Sequence, residues 1–180
     1  MNSSLHVNVL DSYLQNALKY LRDLDNPRKG VVVAALIDRG GVCYATSEQQ
    51  ENGLWLHAER NVVRSYIARY GSISTAAAIV ISLSPCIVQN SNKRSGDSCT
   101  KLLLGLDGNC LTTPLNRIHT GIVDAKQADI DHYKKIGFQL TVTTNTVLMS
   151  ACQKLYGYFS VENYGKASIV NYLDESLKDI

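Results

Sequence analysis

The apolar positions of this chain follow periods that switch repeatedly between helix and strand. Leu10, Leu14, Ala17, Leu18, Leu21 and Leu24 recur at helical spacing with Tyr13 on the same side, and polar residues fill the opposite face. This predicts an amphipathic first helix. Asn26-Pro27 closes it, because the residue before a proline is pushed out of the helical region. Val31-Val32-Val33-Ala34-Ala35-Leu36-Ile37 is apolar without alternation, the pattern of a strand covered on both faces. Asp38-Arg39-Gly40-Gly41 reads as a turn, and Val42-Cys43-Tyr44-Ala45 as the returning hairpin strand. The polar stretch from Thr46 to Gly53 is expected to be a loop.

From His57 onward, Ala58, Val62, Val63, Tyr66 and Ile67 mark a second helix closed by Gly71, with Arg60, Arg64 and Arg69 on its expected solvated side. Residues 76–83 form a third apolar strand that runs into Ser84-Pro85-Cys86. A polar loop rich in serine and asparagine follows, from Ile87 to Asp97, and Ser98 is placed to cap a short helix that Gly105 ends. A fourth strand at 116–123 leads to a helix marked by Asp129, Ile130, Tyr133 and Ile136 and closed by Gly137. Residues 138–143 are the fifth strand. Asn145 can cap the next helix, with Val147, Leu148, Ala151, Cys152 and Leu155 on its buried side; Ile169, Val170, Leu173 and Leu177 mark a last one. A strand, a crossover helix and a further strand imply parallel neighbours joined with right-handed chirality. The predicted fold is therefore α/β: a three-layer α-β-α sandwich around a five-stranded mixed sheet whose last two strands are parallel. One domain is expected over residues 1–180, with a core at about 10–155 and a helical extension at about 156–180.

Composition narrows the function only a little. A chain of 180 residues can bury a substantial core without staples. A formal charge of +2 is too small to argue for nucleic acid by itself. There is no apolar run long enough for a membrane helix and no basic-then-apolar start of a signal peptide. Five widely spread cysteines, an odd number, fit reduced thiols and one metal better than a disulfide framework. The lean is cytoplasmic, with export lacking a signal peptide left open.

The chemistry concentrates in three places. His57-Ala58-Glu59 opens the second helix, Pro85-Cys86 follows the third strand, and Ser98-Cys99-Thr100 opens the next helix. Zinc favours nitrogen and sulfur donors in a tetrahedron, and three protein ligands leave one position for water. His57, Cys86 and Cys99 supply one nitrogen and two sulfurs, each expected at or near a helix N-terminus, where the dipole favours thiolate. Glu59, in the first turn of its helix and two residues after His57, is placed to reach a water on the metal rather than the metal itself and to move its protons. Taken singly, each piece has a plain alternative: a glutamate that favours the helix dipole, or a cysteine that belongs to the core. Cys43, Cys110 and Cys152 are read as core cysteines. Together, and in this order at the starts of elements, the pieces are far more specific.

With these residues in hand, the chain resembles the cytidine deaminase-like superfamily of zinc hydrolases, through element order as well as motif, from about Leu10 to Leu155. The resemblance implies His57 and Cys86 as zinc ligands, Glu59 as proton shuttle, and a hydrolytic deaminase acting on the exocyclic amine of a nucleobase. Cytosine in a nucleotide or nucleic acid is the first candidate. Adenine, guanine or another amino-heterocycle is the alternative, as is an inactive scaffold of the same fold. Ser82-Leu83-Ser84-Pro85-Cys86 is similar to the Ser-x-Ser-Pro-Cys of polynucleotide cytosine deaminases, and Asp124-Ala125-Lys126 to the Asp-Ala-Lys of tRNA adenosine deaminases. The parallel fifth strand is similar to the branch acting on nucleic acids and deoxynucleotides. The chain departs from the Pro-Cys-x-x-Cys spacing of the family. Cys86 and Cys99 are separated by 12 residues, so Cys99 is the expected third ligand and Cys110 the other candidate. Thr46 stands where the family often has an asparagine that grips the sugar. Substrate contacts are expected from Thr46, Trp55, Ala58, Ser84 and Pro85, with Trp55 either stacking on the base or forming a wall. Lys93 and Arg94, in the loop after Cys86, are candidates to meet phosphate, as against an ordinary solvated charge pair. Tyr156, Tyr158, Phe159 and Tyr164 are read as packing for the final helices. A homo-oligomer is left open and a membrane partner is not expected.

Overall fold

The computed structural model describes residues 6–87, 98–106, 111, 113–126, 128–160 and 169–180, except for the side chains of 159–160 and 169–172. The expected contacts Lys93 and Arg94, and the alternative ligand Cys110, lie outside the described residues. The first helix, α1 (Val7–Asp23), is followed by strands β1 (Lys29–Asp38), β2 (Gly41–Gln49) and β3 (Trp55–Leu56). Helix α2 (Ala58–Tyr70), strand β4 (Ala78–Leu83) and the short helix α3 (Cys99–Leu103) come next. The chain ends with β5 (Arg117–Ile122), α4 (Ile130–Lys135), β6 (Gln139–Val142), α5 (Thr146–Ser160) and α6 (Ile169–Ser176).

The sheet has six strands, in the order β3-β2-β1-β4-β5-β6, where five were expected. The additional strand, β3, follows the stretch from Thr46 to Gly53 that was expected to be a loop, and the first part of that stretch is itself strand. β2 continues through Thr46 to Gln49, and Glu48 and Gln49 then pair antiparallel with Leu56 and Trp55. Gly53 (φ 79) donates to the Gln50 carbonyl and Gln50 to the Leu54 carbonyl, closing a turn that polarity alone does not separate from an open loop. At the other side the expectation holds: β4, β5 and β6 are parallel, and β1 pairs antiparallel with both β2 and β4.

Strands β1 and β4 are apolar on both faces because both faces are covered. Val33, Ala35, Val80 and Ala78 pack with α1, α5 and α6 through Leu14, Leu18, Leu148, Leu155 and Leu173. Ala34, Leu36, Ile79 and Ile81 pack with α2, α3 and α4 through Val62, Tyr66, Leu103 and Tyr133. The side chains thus alternate between two separate clusters, which is what makes the strand sequence read as an unbroken apolar run. The layers are α-β-α, as predicted. Gly71 ends α2 at φ 86, a conformation that favours glycine. Asn145 caps α5 by accepting from Val147 and Leu148 N–H at 3.0 and 3.3 Å.

Two side chains depart from the sequence reading, and a third, Lys29, is buried against expectation for its type. Arg60, placed on a solvated face, is 5% exposed, since α2 turns its first residues toward the sheet and α3. Val147, placed on a buried face, is 47% exposed, while its neighbour Leu148 in the same turn of α5 is the one turned into the core. Lys29 opens β1 yet is buried, and its ammonium donates to the Leu21 carbonyl at 2.8 Å and also to that of Leu24, tying down the C-terminus of α1. Burial pushes the Lys29 amine below its usual range. Among the described residues no helix is long and apolar enough to cross a membrane.

Candidate metal centre

The three donors arrive from three elements of the α2 layer. His57 is the N-cap of α2, with extended backbone at φ −71 and ψ 151, and the short strand β3 leads the chain to it. Cys86 lies three residues beyond the carboxyl end of β4, and between it and Ser98 only Ile87 is described. The first amide of α3 reaches it across space, where Cys99 N–H donates to the Cys86 sulfur at 3.2 Å. Cys99 is the first residue of α3, whose cap Ser98 accepts from Lys101 N–H as its position in the sequence predicts. Thr100 N–H donates to the Cys86 carbonyl at 3.2 Å, so the two cysteine segments are stitched by backbone despite the 12 residues between them.

The His57 Nδ1 atom lies 3.1 Å from the Cys99 sulfur and 3.7 Å from the Cys86 sulfur. All three donor atoms fall within 4.8 Å of one another, with Cys99 buried and the other two half-buried. Zinc bonds of about 2.3 Å to sulfur and about 2.0 Å to nitrogen set tetrahedral neighbours roughly 3.5 Å apart. The donor set and its spacing therefore fit a zinc ion. Among the described residues this is the one such group of histidine, cysteine and carboxylate side chains.

Glu59, in the first turn of α2, is 3% exposed. Burial drives its carboxyl above the ordinary carboxylate range; His57 and a hydrogen bond with the Cys99 thiol pull it back, while the Cys86 sulfur adds to the rise. The two cysteines behave as a pair. The hydrogen bond from Cys99 holds the Cys86 thiol well below its usual value, helped by His57, and the same contact with burial pushes Cys99 up. One sulfur is thus the preferred thiolate before any cation arrives.

The remaining expected residues occupy several positions. Ala58 is fully buried in the core under α2, and Pro85 is buried beside Cys86. Thr46 is buried on β2, and its carbonyl accepts from Asn61 Nδ2 at 3.1 Å, an anchor between α2 and the sheet that periodicity does not reveal. Trp55 is half-buried on β3 beside Gly30, where a Cβ would come within 2.9 Å of its ring, so a glycine is required there. The Ser84 hydroxyl is buried and accepts from Asp124 N–H at 2.9 Å. Tyr133, read from sequence only as an apolar position, donates its hydroxyl to the Pro85 carbonyl at 2.6 Å, and burial pushes its phenol up to about 12. Tyr156, read as packing, donates to Asp124 at 2.8 Å. The signal missed for Tyr133 is that a buried tyrosine hydroxyl needs a partner, and the half-buried Tyr156 finds one as well.

Residues 8–108, more than half of the chain, match the family described as the cytidine and deoxycytidylate deaminase zinc-binding region. No curated protein sequence matches the chain. Among solved structures the chain is similar to the Aspergillus oryzae Rib2 deaminase in complex with DARIPP, at a TM-score of 0.56 and 14% identity, over 94% of this chain and 96% of that one. It is also similar to Acinetobacter baumannii RibD, at a TM-score of 0.54 and 14% identity, over 86% of this chain but only 41% of that one.

Proposed function

The chain belongs to the cytidine and deoxycytidylate deaminase zinc-binding family, and from that premise we propose that it is a zinc-dependent hydrolytic deaminase acting on the exocyclic amine of a nucleobase. One observation carries the reading: an imidazole and two cysteine sulfurs converge at zinc-ligand spacing next to a buried carboxyl. His57, Cys86 and Cys99 hold the metal. Bound there, zinc supplies the acidification of a water molecule toward a pKa of roughly 7. Glu59 accepts one proton of the attacking water and passes it to the ring nitrogen, where it stays. It then carries the second proton of that water to the exocyclic nitrogen, which leaves as ammonia while the new carbonyl forms. Burial raises this carboxyl above the ordinary carboxylate range, which makes it a stronger base for taking up the proton of the water.

Cytosine, in a nucleotide or in nucleic acid, is the first substrate to test. The Ser82-to-Cys86 stretch and the three parallel strands β4 to β6 support that choice. A second reading, an amino-heterocycle other than cytosine, is favoured by the likeness in fold to a deaminase whose structure is a complex with DARIPP. Ammonia release measured over free bases, nucleosides, nucleotides, RNA, DNA and DARIPP decides between them. Release from a cytosine compound alone upholds the first reading, and release from DARIPP alone upholds the second. Purified protein that carries zinc and releases ammonia from none of these leaves the scaffold reading in place of both.

A further inference from the structure

Of the three donors, Cys86 has the least regular structure beneath it. His57 caps α2 and Cys99 starts α3, whereas Cys86 follows the end of β4 by three residues. Pro85 precedes it and has no backbone N–H with which to anchor the turn. The Pro85 carbonyl oxygen, however, belongs to the planar peptide that ends at the Cys86 Cα, so holding that oxygen fixes the direction in which Cys86 departs. The atom that holds it is the Tyr133 hydroxyl, at 2.6 Å, from a side chain that is fully buried on α4. The same hydroxyl lies 3.2 Å from Ser84 Oγ. Ser84 is held in turn by the Asp124 N–H, and its own N–H donates to the Ile122 carbonyl at 3.0 Å. Tyr156 on α5 steadies Asp124 from the far side. A ring alone would fill this place in the core beside Phe138, so the buried hydroxyl adds nothing to packing; what it adds is the bond to the turn.

We propose that Tyr133 is a positioning residue of the metal centre, its hydroxyl fixing the Pro85–Cys86 peptide so that the Cys86 sulfur stays in reach of His57 and Cys99. The inference rests on the reading that these three residues hold zinc. Partners that orient a metal ligand change metal affinity by about ten- to a hundredfold when removed. Tyr133 acts through the peptide rather than on the sulfur, so the lower end applies.

The test measures how fast zinc-loaded protein gives up its metal to a chromophoric chelator. Tyr133→Phe should release zinc about tenfold faster than wild type. Its Tm should stay within about 4 °C, the shift expected for one lost hydrogen bond in a chain of this size. Tyr66→Phe is the matched control, deleting the hydroxyl of another fully buried tyrosine on α2, and should leave the release rate unchanged. Equal release from Tyr133→Phe and wild type, or equal acceleration by Tyr66→Phe, would overturn the proposal while the zinc reading stands. Wild-type protein that takes up no zinc overturns the zinc reading, and this inference with it. Should Tyr133→Phe not fold, Ser84→Ala attacks the same turn from its other anchor. Faster release supports the proposal, and an unchanged rate sinks it.

Discussion

Two buried histidine clusters lie on opposite faces of the same sheet and have opposite chemical characters. On the α2 face, His57 is half-buried and points Nδ1 at two sulfurs. On the α1 face, His119 of β5 is fully buried, with Nε2 2.8 Å from Asp11 of α1 and Nδ1 2.9 Å from Thr141 of β6. Both ring nitrogens of His119 are taken by hard oxygen partners, and it has no donor left for a ligand. That cluster joins α1, β5 and β6. The His57 group gathers soft donors at a spacing that suits a cation better than it suits one another. A histidine in a buried polar cluster is therefore not a site by virtue of burial. The number and softness of the atoms that converge on it decide.

The contrast can be broken or sharpened by experiment. The largest effect is expected from Cys99→Ala, which removes one of three donors: zinc content of the purified protein should fall to background and turnover with it. Full zinc content in that variant would move the third ligand elsewhere, with Cys110 the next to test. Glu59→Gln should come next, with kcat lower by about a hundred- to ten-thousandfold while zinc content stays near wild type. Loss of zinc together with rate in that variant would make Glu59 a ligand instead of a proton carrier. His119→Ala should act on the other property altogether. It takes the imidazole from the Asp11 carboxylate and leaves the Thr141 hydroxyl only its bond to the Ile118 carbonyl, and it should cost about 1–3 kcal/mol in denaturant unfolding. Its zinc content per folded molecule should match wild type, and a zinc loss there would show that the two faces of the sheet are coupled.

The smallest effect is in pH. Burial lowers the His119 pKa below the usual histidine value, with Asp11 opposing the shift. The folded protein thus binds this proton less readily than the unfolded chain, and stability falls as pH drops below about 6.5, the ordinary histidine value. Above it the contribution is complete. Zinc-free wild type should lose more Tm between pH 7.5 and pH 5.5 than zinc-free His119→Ala. Equal losses would remove His119 from the account.

Much of the fold was legible because burial on both faces writes itself into the sequence. β1 is apolar without a break from Val31 to Ile37 and β4 from Ala78 to Ile81, and α1 shows one apolar stripe because it covers one face. The caps at Ser98 and Asn145 and the glycine closing α2 were legible for the same local reason: they satisfy groups within a few residues. β3 was not, since two residues carry no period and their pairing depends on the turn between them. Arg60 was misplaced because a charged residue says nothing of what packs over it.

The sequence by itself determined which chemistry is available: a histidine and a glutamate at one helix start, a cysteine after a proline, and a serine-capped cysteine opening another helix. These are properties of short segments, and short-range physics sets them. Only the tertiary structure decided that Cys99 meets Cys86 and His57, because that meeting depends on the closure of a 12-residue connection and on α3 docking against α2. It alone also placed Tyr133 under the turn that carries Cys86. A hydrogen bond between residues 48 positions apart leaves no periodic trace in the sequence; it exists only once β4, β5 and α4 have packed.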